Sequence, residues 1–410
     1  MTPLKTKMQE SDNAFAPASS IVPDLGDSQR AQSLQAAYRL HRFMMDAHWN
    51  AGRVIGPDCG VRFNRRIGRF IKSYFNFLPW NDFYYYLQAQ GYWVLANWSL
   101  FQQTGEEDYR QIAVLTSEQM IEQQRPDGAW DYPNPEWKGR VATAECTWGT
   151  LGLLSTYRHT RDEKFLSSAL RWHQYLIHEI GFQQIGDELA INYFAKRPTA
   201  RVPNNSAFVL RFLAELADAT GDKSYLQQCD GMVAFMRRAQ KPNGEFPYMV
   251  EGTASGTRCW EHFQCYQYNA FECLDLMQYY ELTGDSTLRP VIKTCLGYLD
   301  SGVDRDGHVF IDCNKRFGHI LYHTTVLGAA FAKAGRLDFA GYEGHRDRTF
   351  AHILARQQAN GSFAYSGGDY RILHDRRSYP RTLSMMLFHL MVNVQTASPQ
   401  PCSARVRNAS

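Results

Sequence analysis

The sequence lacks a long apolar run and lacks an excess of charge of one sign. Its 410 residues carry 44 Lys and Arg against 41 Asp and Glu, which gives a net charge of +3. Phosphate recognition needs concentrated positive charge, so we expect no nucleic-acid partner. A membrane span needs about 18 consecutive apolar residues, and because no such stretch occurs we expect no membrane span.

Closely spaced cysteine pairs are also missing. The nine cysteines are scattered without a Cys-x-x-Cys pair, which argues against a disulfide scaffold and favours a reducing cytoplasm. The N-terminal segment lacks the apolar core of a secretory signal, in line with a cytoplasmic location. Cys259, His262 and Cys265 have the spacing of zinc ligands, but three such residues in one short stretch are more typical of packing thiols beside a site histidine. We therefore predict no metal and no other cofactor.

The chain does contain a high share of aromatic residues, 14%, and a repeat. In each copy a helix is followed by a Thr-Gly-acid turn and then by another helix, with a period of about 58 residues. The copies start at Thr104, Thr220 and Thr283, and a degenerate copy starts at Thr160. A period of this length is typical of large helical hairpins with elaborated loops.

A second marker follows the second helix of each repeat. It begins with Gln, continues through Asp-Gly or Asn-Gly, and ends on an aromatic residue, at 124–130, 240–246 and 357–363, with a reduced form at 306–310. The glycine supplies a left-handed turn after a helix, and the aromatic residue returns the chain to the core.

Together these markers predict an all-α fold built from six helical hairpins, with short β-like turns. We place the first hairpin at 31–78 and four more from about 83, 143, 204 and 266. The last hairpin starts near residue 320 and closes against a helix at 380–393. One domain then spans 31–395, between polar tails at 1–30 and 396–410 that we expect to be flexible.

Six hairpins, Thr-Gly-Asp turns and Gln-xxx-Gly-x-aromatic markers resemble the α/α-toroid superfamily, in which inner helices ring a central cavity. The resemblance covers roughly residues 31–393. Two branches share these features. One holds six-hairpin carbohydrate-active enzymes, including uronate lyases and glucuronyl carbon-5 epimerases, and the other holds terpenoid cyclases and their prenyltransferase relatives. The resemblance implies a single (α/α)6 toroid and leaves the chemistry open.

In such a toroid, the loops that lead into the inner helices and the first turns of those helices face the mouth of the cavity. Five of these six places carry Arg or Lys together with Tyr, His or Asn. A ring of cations at one end of a nearly neutral protein implies an anionic ligand, because unpaired buried charge is costly. The candidate substrate-binding residues are Trp137, Arg140, Arg197, Asn205, Arg258, Trp260, Tyr266, Asn269, Arg316, Arg377 and Arg381.

The candidate catalytic residues are groups that can transfer protons. The stretch 260–269 brings a carboxylate, an imidazole, phenols and an amide within ten positions, with His262 and Tyr268 as candidates. Tyr322 and His323 enter the next inner helix. Glu145 lies in the first turn of another, where it is either a catalytic acid or a capping acid.

The first functional hypothesis is proton abstraction from an anionic, uronate-containing saccharide by an epimerase or a lyase. Removing the proton next to a uronate carboxylate needs a base, an acid on the other face, and a cation or amide that neutralises the carboxylate. Tyr and His would serve as base and acid, as the resemblance to uronate lyases and carbon-5 epimerases implies. Hydrolysis by a carboxylate pair stays open, with Glu145 and Glu261 or Glu272 as candidates.

The second hypothesis is a terpenoid cyclase acting on an isoprenoid or isoprenyl diphosphate. The marker at 124–130 is similar to the Gln-Trp repeat of that family, and aromatic faces stabilise carbocations. The chain lacks the family's Asp-x-Asp-Asp acid motif, and the nearest string, at 304–306, sits in a turn. Asp312 and Cys313 are adjacent, so they do not match the zinc ligands of prenyltransferases. A third hypothesis is a non-catalytic toroid that binds a glycan or a protein partner.

Overall fold

The computed structural model describes residues 25–65, 67–195, 200–250, 262–314, 319–369 and 372–395. These residues form thirteen α-helices and seven short strands. The helices are α1 (Leu25–Ala47), α2 (Ile67–Tyr74), α3 (Leu87–Thr104), α4 (Glu107–Glu122), α5 (Thr143–Thr160), α6 (Glu163–Tyr175), α7 (Pro203–Thr220), α8 (Cys229–Ala239), α9 (Cys265–Thr283), α10 (Arg289–Asp300), α11 (Leu321–Arg336), α12 (Glu343–Leu354) and α13 (Pro380–Val394).

The strands lie in loops and form three small antiparallel sheets. They are β1 (Trp49–Asn50), β2 (Arg53–Val54), β3 (Phe182–Ile185), β4 (Glu188–Ile191), β5 (His319–Ile320), β6 (Ser366–Asp369) and β7 (Leu373–Asp375). β1 pairs with β2 and β3 with β4, while β6 lies between β5 and β7. Among the described residues, no helix is both long enough and apolar enough to cross a bilayer.

Six inner helices form a closed ring. α3, α5, α7, α9, α11 and α13 each pack against the next, and α13 packs against α3. Each of these helices buries most of its residues on all sides, as expected of a helix that is surrounded by others. α4, α6, α8, α10 and α12 pack outside α3, α5, α7, α9 and α11, respectively. The predicted all-α toroid with six hairpins is confirmed.

The N-terminal helix closes the outer layer. α1 packs against α13 and α12, so the sixth hairpin joins the two ends of the described chain, while α11 pairs with α12. The expected first hairpin at 31–78 is therefore wrong, because α1 finds its inner partner in α13 and only the short α2 follows it before α3. α1 begins at Leu25, within the segment 1–30 that the sequence analysis treats as a tail.

The repeat markers have clear structural roles. Gly105, Gly221 and Gly284 end α3, α7 and α9 at φ values of 74°, 76° and 72°, a left-handed conformation that glycine adopts without strain. In the second marker, the side-chain amide of Gln240 donates to the carbonyls of Gly244 in its own loop and Val291 in α10. A Cβ on Gly244 would lie 2.1 Å from the carbonyl oxygen of Thr294, so only glycine fits there.

The other copies of the second marker make the same connection. Gln124 donates to Gly128 and to Ser168 of α6, and Gln357 donates to Gly361 and to Ala36 of α1. Each marker therefore fastens one outer helix to the next, and the last copy fastens α12 to α1. The ring therefore closes between α12 and α1 through the same contact that joins α4 to α6 and α8 to α10.

Candidate active site

The N-terminal ends of the inner helices surround Arg381, which lies in the first turn of α13. Its Nε and Nη2 atoms donate to the two carboxylate oxygens of Asp58 at 2.7 and 2.8 Å. Its Nη1 donates to Gln88 of α3 at 3.4 Å, and its guanidinium lies 4.4 Å from the ring centre of Tyr86. Asp58 is fully buried, so this bidentate pair ties the loop before α2 to the last inner helix.

Several ionisable side chains converge on this guanidinium. Burial raises the pKa of one carboxyl group and four phenols, and the positive charge of Arg381 acts in the opposite direction on each of them. These groups are Glu145, Tyr86, Tyr132, Tyr268 and Tyr322. They come from four of the inner hairpins and the loops between them. The mouth is therefore one shared site, and we call this group the Arg381 cluster.

Glu145 is the carboxyl group of the Arg381 cluster. It is buried in the first turn of α5, and its Oε1 accepts a hydrogen bond from the backbone N–H of Gln88 at 3.0 Å. Burial raises its pKa to about 7 against the opposing charge of Arg381. Glu145 thus caps the neighbouring helix α3 and also titrates near neutrality, which is the range that proton transfer in catalysis requires. The structure therefore shows the capping role considered from the sequence, and the catalytic role stays a prediction.

Tyr268 and Tyr322 supply phenols from α9 and α11. The ring centre of Tyr268 lies 4.9 Å from that of Tyr248, and nearby Tyr193 and Tyr322 add to the effect of burial in raising its pKa. Burial likewise raises the pKa of Tyr322. Both phenols stay protonated at neutral pH, so they are suited to donate protons or hydrogen bonds rather than to act as bases.

The two candidate histidines lie in different surroundings. His323 is buried in α11, where neither ring nitrogen has a hydrogen-bond partner among the described residues, and its ring lies edge-on to that of Tyr322 at 4.5 Å. Burial lowers its pKa to about 3, so it is neutral at physiological pH. His262 is exposed, and its Nδ1 lies 2.7 Å from Oε1 of Glu245. The structure therefore places His323 beside the Arg381 cluster and pairs His262 with a carboxylate that the sequence analysis did not consider.

Trp137 and Arg140 form a platform with Phe194 beside the Arg381 cluster. The rings of Trp137 and Phe194 stack at 5.4 Å, and the guanidinium of Arg140 lies 4.7 and 5.1 Å from their centres. Tyr193, which influences Tyr132 and Tyr268, contacts Phe194 at 4.6 Å. In the described part of the chain no carboxylate pairs with Arg140. The platform thus joins flat apolar rings to a cation that no carboxylate of the described chain neutralises.

Two other arginines of the mouth are neutralised. Arg377 donates to Asp82 at 2.8 Å, and Arg381 is paired with Asp58. The expected ring of unpaired cations is therefore not present in the described residues, because the loops that carry the arginines also supply carboxylates. Arg197, Arg258, Trp260 and Arg316 lie outside the described residues.

Three further predicted binding residues serve the packing of the mouth. Asn269 exchanges hydrogen bonds with the backbone of Phe246 at 2.6 and 2.9 Å, so its amide is occupied. Tyr266 stacks on Tyr298 at 5.1 Å against the outer layer. Asn205 is buried in the first turn of α7, and within the described ranges its side-chain amide nitrogen has no hydrogen-bond partner. Of the three, only Asn205 keeps a polar group free for a ligand.

Sequence reasoning missed a second set of tyrosines. Tyr132, Tyr248 and Tyr365 each stand two residues after the aromatic residue of a marker, and burial raises the pKa of all three. Tyr248 contacts Tyr268, and Tyr365 contacts Tyr322 at 6.0 Å. The recurrence of Tyr at one offset from the marker was a signal in the sequence. Asp58 had no such signal, because it lies in a loop outside the repeat.

One group of described residues could hold a metal ion. The ligand atoms of Glu245, Cys265 and Cys313 lie within 4.8 Å of one another, and His262 hydrogen bonds to Glu245. Cys265 and His262 belong to the spacing noted in the sequence, whereas Cys259 lies outside the described residues. The backbone N–H of Cys313 donates to the sulfur of Cys265 at 3.2 Å, so a hydrogen bond already holds these two cysteines together.

Aromatic side chains separate the mouth from the other end of the ring. Tyr92 of α3 stacks on Trp148 of α5 at 4.2 Å and contacts Phe388 of α13 at 5.6 Å. Phe271 of α9 contacts His389 of α13 at 5.6 Å. These rings come from four inner helices, so they fill the middle of the ring and limit the depth of the mouth.

A cavity of about 350 Å³ lies beyond these rings, among the C-terminal halves of the inner helices. Arg211 pairs there with Glu215 at 2.8 Å and with Asp275 at 3.2 Å, and Lys333 pairs with Glu281 at 2.7 Å. Burial raises the pKa of Asp275 to about 7. These charged side chains pair with one another across the cavity and so link inner helices at this end of the ring. We therefore assign them a structural role. We therefore place the candidate active site at the mouth, where loops from successive repeats meet.

Comparison with known proteins supports the fold. No protein-family model and no curated protein matches the chain. Among solved structures, cellobiose 2-epimerase from Spirochaeta thermophila has a TM-score of 0.69 at 10% identity, covering 90% of this chain and 97% of that chain. A possible member of the GH105 family from Salmonella enterica serovar Paratyphi A has a TM-score of 0.65 at 12% identity, covering 93% and 96%.

A structure from the other branch is similar as well. A type II terpene cyclase from Scytonema, in complex with geranylgeranyl dihydroxybenzoate, has a TM-score of 0.56 at 12% identity, covering 90% of this chain and 99% of that chain. At such low identity these likenesses speak for architecture alone. The chain has the α/α-toroid fold.

Proposed function

We propose that the chain is a carbohydrate-active enzyme that acts on a uronate-containing saccharide by abstracting the proton next to the carboxylate, as an epimerase or a lyase. The observation that carries the proposal is the convergence at one mouth of a carboxyl group that titrates near pH 7, several protonated phenols and a guanidinium. Resemblance in fold to an epimerase and to glycoside-processing proteins adds support.

In this proposal, Glu145 and Tyr268 share the proton transfer. Ionised Glu145 removes the proton from the carbon next to the substrate carboxylate, and Arg381 stabilises the negative charge that develops. Tyr268 or Tyr322 then returns a proton to the opposite face of that carbon in an epimerase, or to the leaving oxygen in a lyase. Neutral His323 is a second candidate for the base. This division of roles follows from the pKa directions, since burial favours the protonated form of each phenol.

The platform of Trp137 and Phe194 would bind the saccharide. Sugar rings stack on flat aromatic faces, and Arg140, whose guanidinium lies over both rings, offers a cation that no described carboxylate neutralises. A uronate ring stacked there would place its carboxylate near Arg140 and extend the chain toward Tyr193 and the Arg381 cluster. This is the feature that favours an anionic saccharide over a neutral one.

The test is a comparison of charged and neutral polymers. We would incubate the protein with heparosan, with alginate and with dextran, and follow changes in sugar configuration and the appearance of unsaturated ends by NMR. The proposal expects conversion of a uronate polymer and none of dextran. Arg140→Ala should raise KM by about tenfold with a smaller effect on kcat, since it removes a charge-assisted contact. Lys138→Ala, an exposed cation two residues away, is the matched control. Conversion of dextran alone would contradict the proposal.

A terpenoid cyclase is the second candidate, favoured by the many aromatic faces at the mouth. Such an enzyme needs a deep apolar chamber for an isoprenoid chain. The contacts among Tyr92, Trp148 and Phe388 fill the middle of the ring instead, and the mouth above them is lined by phenols and charged groups. We therefore rank this function below saccharide chemistry.

A further inference from the structure

The exposed apolar side chains of the protein are concentrated in one region. Nine of the eleven large hydrophobic residues that are exposed in the described part of the chain belong to 63–83 or to the neighbouring β6–β7 hairpin. We call these nine residues the apolar patch: Phe63, Ile67, Ile71, Tyr74, Phe75, Phe77, Leu78, Phe83 and Ile372. Scattered apolar residues need no explanation, but a contiguous group of this size marks an interaction surface.

α2 is the amphipathic element of the apolar patch. Ile67, Ile71 and Tyr74 follow one another at helical spacing and are exposed, whereas Phe70 and Lys72 on the other side are buried. The helix thus turns part of its apolar surface away from the protein. Phe70 packs into the toroid, whereas Ile67, Ile71 and Tyr74 do not. Packing within the protein therefore does not explain why these three positions of α2 are apolar.

The apolar patch is held in place by specific contacts. Lys72 of α2 pairs with Asp82 at 2.6 Å, and the indole N–H of Trp80 donates to the carbonyl of Phe75 at 3.0 Å. The backbone N–H of Arg376 donates to Ser73 at 2.6 Å, which joins α2 to the end of the β6–β7 hairpin. The exposed rings therefore belong to a folded surface that is tied to Asp82, the partner of Arg377 at the mouth.

The charge of the region identifies the kind of partner. Between Cys59 and Asn81 the sequence has five basic residues and no acidic one. Arg69 and Lys72 are paired with Asp375 and Asp82, and the side chains of the other three basic residues lie outside the described part of the structure. Arg376 is exposed and stacks on Tyr74 at 4.7 Å. Basic residues beside an exposed apolar helix face, with further exposed Phe side chains next to the helix, are typical of proteins that lie on anionic bilayers.

We propose that the apolar patch docks the protein on the surface of an anionic phospholipid bilayer, with the side chains of α2 and of the turn at 75–78 inserted among the lipid headgroups. This inference does not depend on the proposed enzymatic activity. It places the mouth beside a membrane surface, because Asp82 joins the patch to Arg377.

Vesicle flotation tests the proposal. The full chain is mixed with vesicles of phosphatidylcholine alone or of phosphatidylcholine with phosphatidylglycerol, at low and high salt. The protein should float with the anionic vesicles, and high salt should weaken the binding because it screens the basic residues. The double variant Ile67→Ser and Phe77→Ser should bind at least about tenfold less tightly, since two inserting side chains are lost.

A matched pair outside the apolar patch serves as the control. Leu115 and Ile185 are the two remaining exposed large hydrophobic residues, so the double variant Leu115→Ser and Ile185→Ser removes the same kind of side chain elsewhere. It should float as the unaltered protein does, and both double variants should keep its thermal midpoint. Failure of the protein to float with anionic vesicles overturns the proposal, as does equal floating of both variants. A dimer in light scattering that the patch variant alone dissociates would also overturn it, by assigning the surface to a second copy of the chain.

Discussion

At the scale of single residues, Glu145 shows how one packing contact also sets the pKa of a side chain. Its position in the first turn of α5 lets it accept from the backbone of α3, and the burial needed for that contact raises its pKa to about 7. The sequence pointed to Glu145 through its place at a helix start. It could not show the pKa, which depends on Arg381 and Asp58, residues that lie far from it in the sequence.

The raised pKa of Glu145 predicts a pH-dependent stability. The folded-state pKa is above the ordinary value of about 4.3 for Glu, so the protonated form favours the folded state and this contribution is lost as pH rises through about 7. The loss has an upper limit of about 3 kcal/mol. Glu145→Gln cannot ionise. Its thermal midpoint relative to that of the unaltered protein should therefore be higher at about pH 8 than at about pH 5. Calorimetry at the two pH values measures this difference, and a constant difference would contradict the raised pKa.

At the scale of elements, the residues of the Gln markers fix the position of one outer helix against the next. Each marker glycine touches the backbone of the next outer helix, and each marker glutamine donates to a carbonyl of that helix. The aromatic residue at the end of the marker fills the space between hairpins. Phe246 and Phe363 are both 1% exposed. These contacts explain why a pattern of seven residues recurs after every second outer helix, namely α4, α8 and α12.

The aromatic residues that end the Gln markers should therefore contribute strongly to the free energy of unfolding. Phe363→Ala leaves a cavity at the contact between α12 and α1 and should lower the free energy of unfolding by about 3–5 kcal/mol. Phe77→Ala removes the same side chain where it is 75% exposed and should change the free energy of unfolding by less than about 0.5 kcal/mol. Urea unfolding followed by circular dichroism compares the two variants. Similar losses for both would show that Phe363 does not fill the core.

At the scale of the whole molecule, the ring closes through its first and last helices. The Thr-Gly-acid turns and the Gln markers were sufficient to predict the four hairpins from α3 to α10, because each acts over a few residues or between adjacent hairpins. The packing partner of α1 could not be predicted from such local patterns, because the contact between α1 and α13 joins opposite ends of the described chain. The mouth was located from the inner-helix starts, but Asp58 and its pairing with Arg381 depend on that closure.

Closure by α1 predicts that the toroid is one cooperative unit. Deleting residues 1–47 removes α1 and uncovers Leu387, Leu390 and Met391 of α13, which lie in its core cluster. The shortened chain should lose the single sharp calorimetric transition and should associate in solution through the uncovered surface. A chain that lacks only 1–24 keeps α1 and should unfold as the full chain does. A sharp transition in the chain without α1 would show that the five remaining hairpins are stable without closure.

The central claim is that the Arg381 cluster abstracts a proton from the carbon next to a uronate carboxylate. The most direct measurement is incubation with heparosan or alginate in deuterated water, followed by NMR of carbon 5. The account predicts deuterium at that carbon, with exchange slowed by about 10²-fold or more in Glu145→Gln and in Tyr268→Phe. Tyr280→Phe, at the far end of the same helix α9, should exchange at the rate of the unaltered protein. Absence of exchange and of unsaturated product, or full exchange in both cluster variants, would contradict the account.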